Sequence, residues 1–430
     1  MSDSSSASGS RPDLRDSSSA SGSRPDLRDS SSASGSRPDL REGPSILLAG
    51  GGTGGHVTPA LATAQALVTA RPDARVAFVG TARGLESRLV PEAGWELVTV
   101  EALPLRRKVS PQTLKVPFVL GRAAGRVRRL IAERQVAAAC VFGGYVSGPL
   151  ALAARRARIP LVLHEQNAVP GMANRLAARW AAAIAVSVPH AADAFRQRGR
   201  VVMTGNPVRA DLATLDRHAL RAEAAAAFGL DPARSTLLVF GGSQGARRLN
   251  DAALEAASRW AQPDALQVLH AAGRADHGRS AAAWAALGSA APPVRCVPFI
   301  ERMDLAYALA DVALCRAGAS TIAELAVTGT PSVLVPYPYA AADEQTANAA
   351  ALADVGAAVL VPDAELDGAA LVAAAEPALL DPERHRMMAE AAHHLGRPDA
   401  AARLAALVLG AALGDLSAAD LGLRDEGHRP

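Results

Sequence analysis

Two glycine-rich turns about 190 residues apart, LLAGGGTGGH at Leu47–His56 and LLVFGGSQGA at Leu237–Ala246, constrain this chain more than any other feature. Each follows a short apolar run and leads into Ala/Leu-rich residues at helical spacing, so each reads as strand, tight loop and helix N-terminus. Glycine lets backbone N–H groups come close to an anion, and the following helix presents unpaired N–H groups and the positive end of its dipole. One such loop is often only a connection. Two, each opening its own block of alternating strands and helices, predict an α/β fold of two doubly wound, Rossmann-like domains facing across a cleft, with a phosphate expected at each loop.

The remaining punctuation divides the 430 residues. DSSSASGSRPDLR occurs three times without change, at Asp3–Arg15, Asp16–Arg28 and Asp29–Arg41. A unit of Ser, Gly, Pro and balanced charge with one Leu cannot bury enough apolar surface to offset its chain entropy, so residues 1–43 are expected to be a disordered tail. The α/β rhythm runs over 44–207, a polar helical linker over 208–234, a second α/β domain over 235–409 and a loose C-terminus over 410–430. VAFVG, AACVF, PLVLHE and AIAVS in the first block, and TLLVF, QVLHA, VRCVPF, DVALC and PSVLVP in the second, are apolar on both faces, as buried parallel strands require. The tail lacks the apolar segment of a signal peptide, and nowhere do about 18 uncharged apolar residues run together. Three dispersed cysteines, Cys140, Cys296 and Cys315, without a CxxC pair, suit a reducing compartment and no structural zinc.

The formal charge of +3 hides a split. Residues 42–206 hold 21 Arg/Lys against 9 Asp/Glu, and residues 207–430 hold 18 against 27. The front half is therefore expected to meet an anionic surface or substrate. With aromatics at 3% and none interleaved with a basic stripe, stacking platforms are missing and nucleic acid is not expected as a partner.

Gly50, Gly52 and Gly55 satisfy GxGxxG, which in a dinucleotide site demands an acidic residue at the end of the second strand. That strand ends in Gly80 and Thr81, which disfavours NAD. His56, where the loop becomes a helix, is a candidate base: a neutral imidazole there can take a proton from a bound hydroxyl. In the second half, RAGASTIAEL at Arg316–Leu325 feeds small residues into a helix, leaving amides free for phosphate, with Glu324 placed to accept ribose hydroxyls. PYPYAAADEQTANA then clusters Asp343, Glu344, Gln345 and Asn348 after a strand, where open α/β sheets bind ligands.

GGTGGHVTPALA, GGYVSGP, PLVLHEQNAVPG, GNPVR, GGSQGA, FIERM, RAGASTIAEL and EQTANA occur here in the order and spacing of the MurG glycosyltransferases, and the chain resembles that family from about Ser45 to Leu409. The resemblance implies a GT-B fold, with a first domain for a lipid-linked acceptor and a second for UDP-GlcNAc. It implies inverting transfer of GlcNAc to the 4-hydroxyl of the MurNAc unit of lipid I, producing lipid II for peptidoglycan. Carried over residue by residue, Thr53, Gly54 and Gly55 should lie against the donor, as should Asn167, with Arg209 closing the hinge side. Ser243 should touch phosphate, Ile300 should meet uracil through its backbone, and Ala319, Ser320, Thr321, Ile322, Ala323 and Glu324 should hold the α-phosphate and ribose. Gln345 should bond the sugar. Glu344 stands where many relatives carry Gln or His.

Such a transfer needs a base, stabilisation of an oxocarbenium-like sugar and stabilisation of departing diphosphate. Loop amides, helix dipoles and Arg209 can meet the leaving charge, and no DxD-type carboxylate pair appears in a loop suited to hold a metal, so neither a metal nor another cofactor is expected. His56 is the first candidate base and Glu165 its rival. Leu114, Val116, Phe118, Val119 and Leu120 lie among Arg106, Arg107, Lys108, Lys115, Arg122, Arg126, Arg128 and Arg129. Apolar groups ringed by cations suit shallow insertion between anionic headgroups, against the alternative of an amphipathic helix with a solvated basic side. The resemblance favours peripheral docking on the cytoplasmic face of the cell membrane, with other cell-wall synthesis proteins as further partners. Two competing readings remain: a UDP-GlcNAc 2-epimerase or other GT-B transferase, and a non-catalytic binding scaffold.

Overall fold

The computed structural model describes residues 43–103, 111–196, 199–242 and 245–417, without the side chains of 111–115 and 290. The first sheet is formed by β1 (Ser45–Ala49), β2 (Arg75–Gly80), β3 (Glu96–Thr99), β4 (Val136–Val141), β5 (Leu161–Glu165), β6 (Ala183–Val186) and β7 (Arg200–Met203), in the order β3-β2-β1-β4-β5-β6-β7. The second contains β8 (Ser235–Phe240), β9 (Leu266–Ala271), β10 (Val294–Val297), β11 (Val312–Cys315), β12 (Ser332–Leu334) and β13 (Ala358–Leu360), in the order β10-β9-β8-β11-β12-β13. Every pairing is parallel. The expected pair of doubly wound domains is what the chain forms.

Parallel strands covered on both faces must be apolar throughout. β1, β4, β5 and β6 are buried along their whole length. Alanine does much of the helix packing: Ala123, Ala124, Ala151 and Ala154 are buried against one face of the first sheet, and Ala252, Ala253 and Ala256 against the second. Short side chains bring helices close to the sheet, which lets a chain with few aromatics still fill its core.

Both sheets reverse strand order at one place, between β1 and β4 and between β8 and β11. Open α/β sheets bind ligands outside the carboxyl ends of strands at that switch point. The loops there are Gly50–Thr53 and Phe142–Val146 in the first half, and the turn after β8 with Arg316–Gly318 in the second.

Two boundaries differ from the sequence expectation. The segment read as a linker carries the Arg217–Phe228 helix, whose Ala224 and Ala225 pack with Leu305 and Leu309 of the second domain. Arg221 ties that helix down with a bidentate ion pair to Asp311 at 3.2 and 2.9 Å. The Ala400–Leu413 helix, grouped by sequence with the second sheet, crosses back: Leu404, Leu407, Val408 and Ala411 are buried with Ile46, Leu48 and Val57 of the first. Periodicity shows that a helix has an apolar face and says nothing of which sheet it covers.

Candidate active site

The first glycine turn is held from below by a carboxylate. Gly52, at φ +89°, donates its N–H to Glu86 Oε2 at 3.0 Å, while the Thr81 N–H and hydroxyl donate to Glu86 Oε1 at 3.0 and 2.7 Å. Glu86 opens the Glu86–Glu92 helix and is 1% exposed. Burial opposes its charge, and these donors outweigh that and hold the carboxyl below its ordinary range. The expected phosphate therefore finds the Gly52 amide taken by the chain's own anion. What the turn leaves free are the Gly54 and Gly55 N–H groups of the Gly54–Ala70 helix, whose first turn has no internal acceptors.

His56 lies in the first turn of that helix, half-buried, with Nδ1 2.7 Å from the exposed Thr53 hydroxyl. Across from it is the loop after β4: a Cβ on Gly143 would come within 3.1 Å of His56 Nε2 and 3.3 Å of Asn174 Nδ2. Burial pulls His56 down to about 4, partly opposed by the charge of Glu86, so the imidazole is neutral near pH 7.

Glu165 ends β5 and is 1% exposed. It accepts from the N–H groups of Asn167 (3.0 Å) and Gly171 (3.1 Å) and from Asn174 Nδ2 (2.8 Å). Burial raises its pKa against those donors. Both oxygens are spent on shaping the 166–171 loop. That loop reaches the second domain, where the Ala168 N–H donates to Asn348 Oδ1 at 2.9 Å and Asn348 Nδ2 donates to Asn167 Oδ1 and to the Ala317 carbonyl, each at 3.3 Å. At the same seam Ser320 Oγ stands 3.9 Å from where a Cβ on Gly55 would lie, so the two helix N-termini face one another. The Ser320 hydroxyl is buried with no hydrogen-bond partner.

The second half opens into a cavity of about 610 Å³ lined by Gly241, Gly245, Arg316, Gly318, Thr321, Tyr337, Gln345 and Asp363, among others. Arg316 is fixed there by Asp363 at 2.6 Å and by the Val335 and Pro336 carbonyls at 3.1 Å each. Gln345 accepts from the Tyr337 N–H at 2.9 Å, which leaves its amide N–H groups to donate. Glu324, on the Ala319–Thr328 helix, accepts from the buried Tyr307 hydroxyl at 3.0 Å. Burial lifts Glu324 to about 7, with Tyr307 and Arg209 pulling the other way. Arg209 itself is paired with Asp211 at 3.1 and 2.7 Å.

Of the residues singled out by sequence, Thr53, Gly55 and His56 share one edge of the seam with Ser320, and Asn167 joins them through Asn348. Thr321 and Gln345 line the cavity, Glu324 lies on the same helix as Ser320, and Ile300 is buried in the core behind. Ser243, Arg106, Arg107 and Lys108 lie outside the described residues, as do the side chains of Leu114 and Lys115. Phe118 is 74% exposed on the Pro111–Glu133 helix, and Arg122, Arg126 and Arg129 are exposed beyond it. No helix among the described residues is long and apolar enough to cross a membrane. Sequence reasoning missed Glu86 and Arg316. A lone Glu opening a helix looks like ordinary dipole compensation, and the only hint was the glycines at 51, 80 and 84 that make room for it.

Two parallel doubly wound domains, with a cavity at one switch point and a histidine at the other, are the GT-B architecture. Models of the glycosyltransferase family 28 N-terminal and C-terminal domains match residues 46–186 and 236–404. The UDP-N-acetylglucosamine–N-acetylmuramyl-(pentapeptide) pyrophosphoryl-undecaprenol N-acetylglucosamine transferase of Nocardioides sp. is 48% identical over 370 residues, 86% of this chain and 98% of that protein. The enzyme of the same name from Streptomyces avermitilis is 46% identical over 358 residues, 83% of this chain and 95% of its own. The crystal structure of Acinetobacter baumannii MurG superposes with a TM-score of 0.66 at 31% identity, covering 85% of this chain and 99% of the other. The chain belongs to the MurG family of glycosyltransferases.

Proposed function

We infer that this chain transfers GlcNAc from UDP-GlcNAc, with inversion, to the MurNAc 4-hydroxyl of undecaprenyl-pyrophosphoryl-MurNAc-pentapeptide, lipid I, forming lipid II for peptidoglycan. Membership of the family carries this reading, and the close approach of Gly55 and Ser320, with His56 on one side of that seam and the Arg316–Gln345 cavity on the other, supports it.

In the transfer, the acceptor oxygen forms a bond to the sugar C1 as the bond from C1 to the UDP oxygen breaks. The acceptor proton passes to His56, and UDP leaves carrying the bonding pair. His56 suits this better than Glu165, because its imidazole is neutral and half-buried while both Glu165 oxygens are already bonded inside the fold. Glu165 instead positions Asn167 and the loop that joins the domains. The departing diphosphate lies against the opening amides of the Ala319–Thr328 helix and the Ser320 hydroxyl, with Thr53, Gly54 and Gly55 closing over the donor from the other side. Glu324 accepts the ribose hydroxyls and Gln345 donates to the sugar.

Phe118 and the Arg122, Arg126 and Arg129 side chains form the docking face toward anionic lipid on the cytoplasmic side, where lipid I presents its headgroup. Acceptor-dependent UDP release from UDP-GlcNAc and a short-chain lipid I analogue tests the transfer. Formation of UDP-ManNAc without acceptor would overturn it in favour of an epimerase. Sedimentation with phosphatidylglycerol vesicles at low salt, and its loss in Phe118→Ser, tests the docking face; equal sedimentation of both would remove Phe118 from it.

A further inference from the structure

Glu86 is a buried carboxylate of the acceptor half that the transfer, as described, leaves without a role. The fold is shaped around it: a Cβ on Gly51 would meet its carboxyl carbon at 2.7 Å, one on Gly80 its Cγ at 2.7 Å, and one on Gly84 would strike the carboxylate itself. Burying a charge is costly unless it is fully bonded. A serine or asparagine could accept the Gly52 N–H without that cost, so closing the turn does not by itself explain an ionised group. Gly52 directly precedes Thr53, whose hydroxyl is 2.7 Å from His56 Nδ1.

We infer that Glu86 is a positioning residue for the transfer: it holds the Gly52 turn, and with it the Thr53–His56 pair, and supplies the fixed negative charge that offsets the cation formed on His56. This rests on His56 as the proton acceptor. A proton arriving on His56 makes an imidazolium in a site whose burial opposes it, and Glu86 is the charge that counters that opposition. The other titratable groups on this side are His164 and Glu165 of β5, the latter one hydrogen bond behind Asn174, which meets the same point of Gly143 as His56, and Tyr145 on the facing loop, whose ring lies 3.0 Å from where a Cβ on Gly52 would stand. His164 is held neutral by burial, at about 4, and brings no compensating charge.

The test is a cycle in the full-length protein with Glu86→Gln, His56→Ala and the double variant, reading kcat and KM for a short-chain lipid I analogue, UDP-GlcNAc affinity by calorimetry, and thermal midpoint. Glu86→Gln is expected to lower kcat about ten- to hundredfold, less than the full contribution of a general base, with UDP-GlcNAc affinity within about twofold of wild type. The acid limb of kcat/KM should move to lower pH, because removing the carboxylate lowers the His56 pKa. In the His56→Ala background the same change should cost less than about threefold, since its route is gone. Glu86→Asp keeps the charge but draws it back: kcat should fall while the acid limb stays in place, and this variant decides the matter if Glu86→Gln does not fold. Wild-type kcat in either Glu86 variant, or equal losses in both backgrounds, overturns the inference and leaves Glu86 as a support of the fold. Near-wild-type turnover of His56→Ala alone instead overturns the reading of His56 as proton acceptor.

Discussion

The two glycine turns begin from nearly the same local sequence and end in different chemistry. After β1 the turn closes on Glu86, which takes the Gly52 amide and fills the space that missing side chains leave. After β8 the turn borders a cavity of about 610 Å³ in which Arg316 and Gln345 are held by partners of their own. Strand, glycine turn and helix supply oriented N–H groups in both halves. Whether those groups meet a ligand depends on what else the fold has placed against them. On the proposed function, the turn already closed by a carboxylate serves a neutral hydroxyl and a base, and the turn that no carboxylate closes serves a diphosphate.

The same contrast recurs beneath the turns, where each sheet buries one histidine, and here the largest effect is expected. His270 on β9 is fully satisfied: Trp284 Nε1–H donates to its Nδ1 at 2.9 Å, which puts the ring proton on Nε2, 2.9 Å from Asn250 Oδ1. His164 on β5 has Nε2 3.2 Å from the Gly205 carbonyl and a buried Nδ1 with no partner. Burial takes both down to about 4, so each contributes stability that is intact above the unfolded value near 6.5 and is lost as pH falls toward 4. That shift corresponds to about 3 kcal/mol for each ring. Urea unfolding at pH 7.5 and pH 4.5 should show the loss, and His270→Gln should remove its share of the pH dependence. If the acid loss is unchanged in that variant, other groups cause it.

Next in size is a paired substitution that sets the loop packed on the first turn against the second turn itself. Gly144, at φ +76°, has no room for a Cβ against the Gly51 carbonyl, and Gly245, also at φ +76°, has none against the Ala272 carbonyl. Gly245→Ala should weaken UDP-GlcNAc binding by about a hundredfold or more, as strained backbone and steric conflict together cost a few kcal/mol. Gly144→Ala should instead lower kcat while leaving UDP-GlcNAc affinity nearly intact, because it displaces the loop that faces His56. Calorimetry and turnover on both variants separate the two. Loss of donor binding in Gly144→Ala would show that the halves do not divide the work this way.

The division was only partly legible in the sequence. Apolar runs located β1, β4, β5 and β6, because a strand covered on both faces has no polar positions. β3 escaped notice: Glu96–Thr99 sits at the sheet edge, and none of its residues is fully buried. His56, Glu324 and Gln345 could be singled out because each follows a recognisable turn. Glu86 could not, since its importance comes from Thr81 and from glycines spread over 34 positions that meet only in the folded chain. The partners of Glu165 are near in sequence, yet nothing in HEQNAVPG reveals that the carboxylate faces inward. Helix Ala400–Leu413 shows the same limit at the scale of a domain.

The smallest expected effect tests the second half by pH. Glu324 is lifted to about 7 by burial, so near neutrality its carboxylate is only partly charged. An ionised carboxylate accepts hydrogen bonds from two hydroxyls more strongly than the neutral acid does. If Glu324 holds the ribose of UDP-GlcNAc, binding favours the ionised form, and affinity should rise by up to about tenfold between pH 6 and pH 8 and then level off. Glu324→Gln should bind more weakly and lose that dependence, whereas a wild-type affinity flat across this range would remove Glu324 from the ribose. Arg209 sharpens the test because its charge holds Glu324 down. Arg209→Ala should move the rise to higher pH, so that at pH 7 donor binding weakens through a residue bonded to Asp211 rather than to the carboxylate it influences.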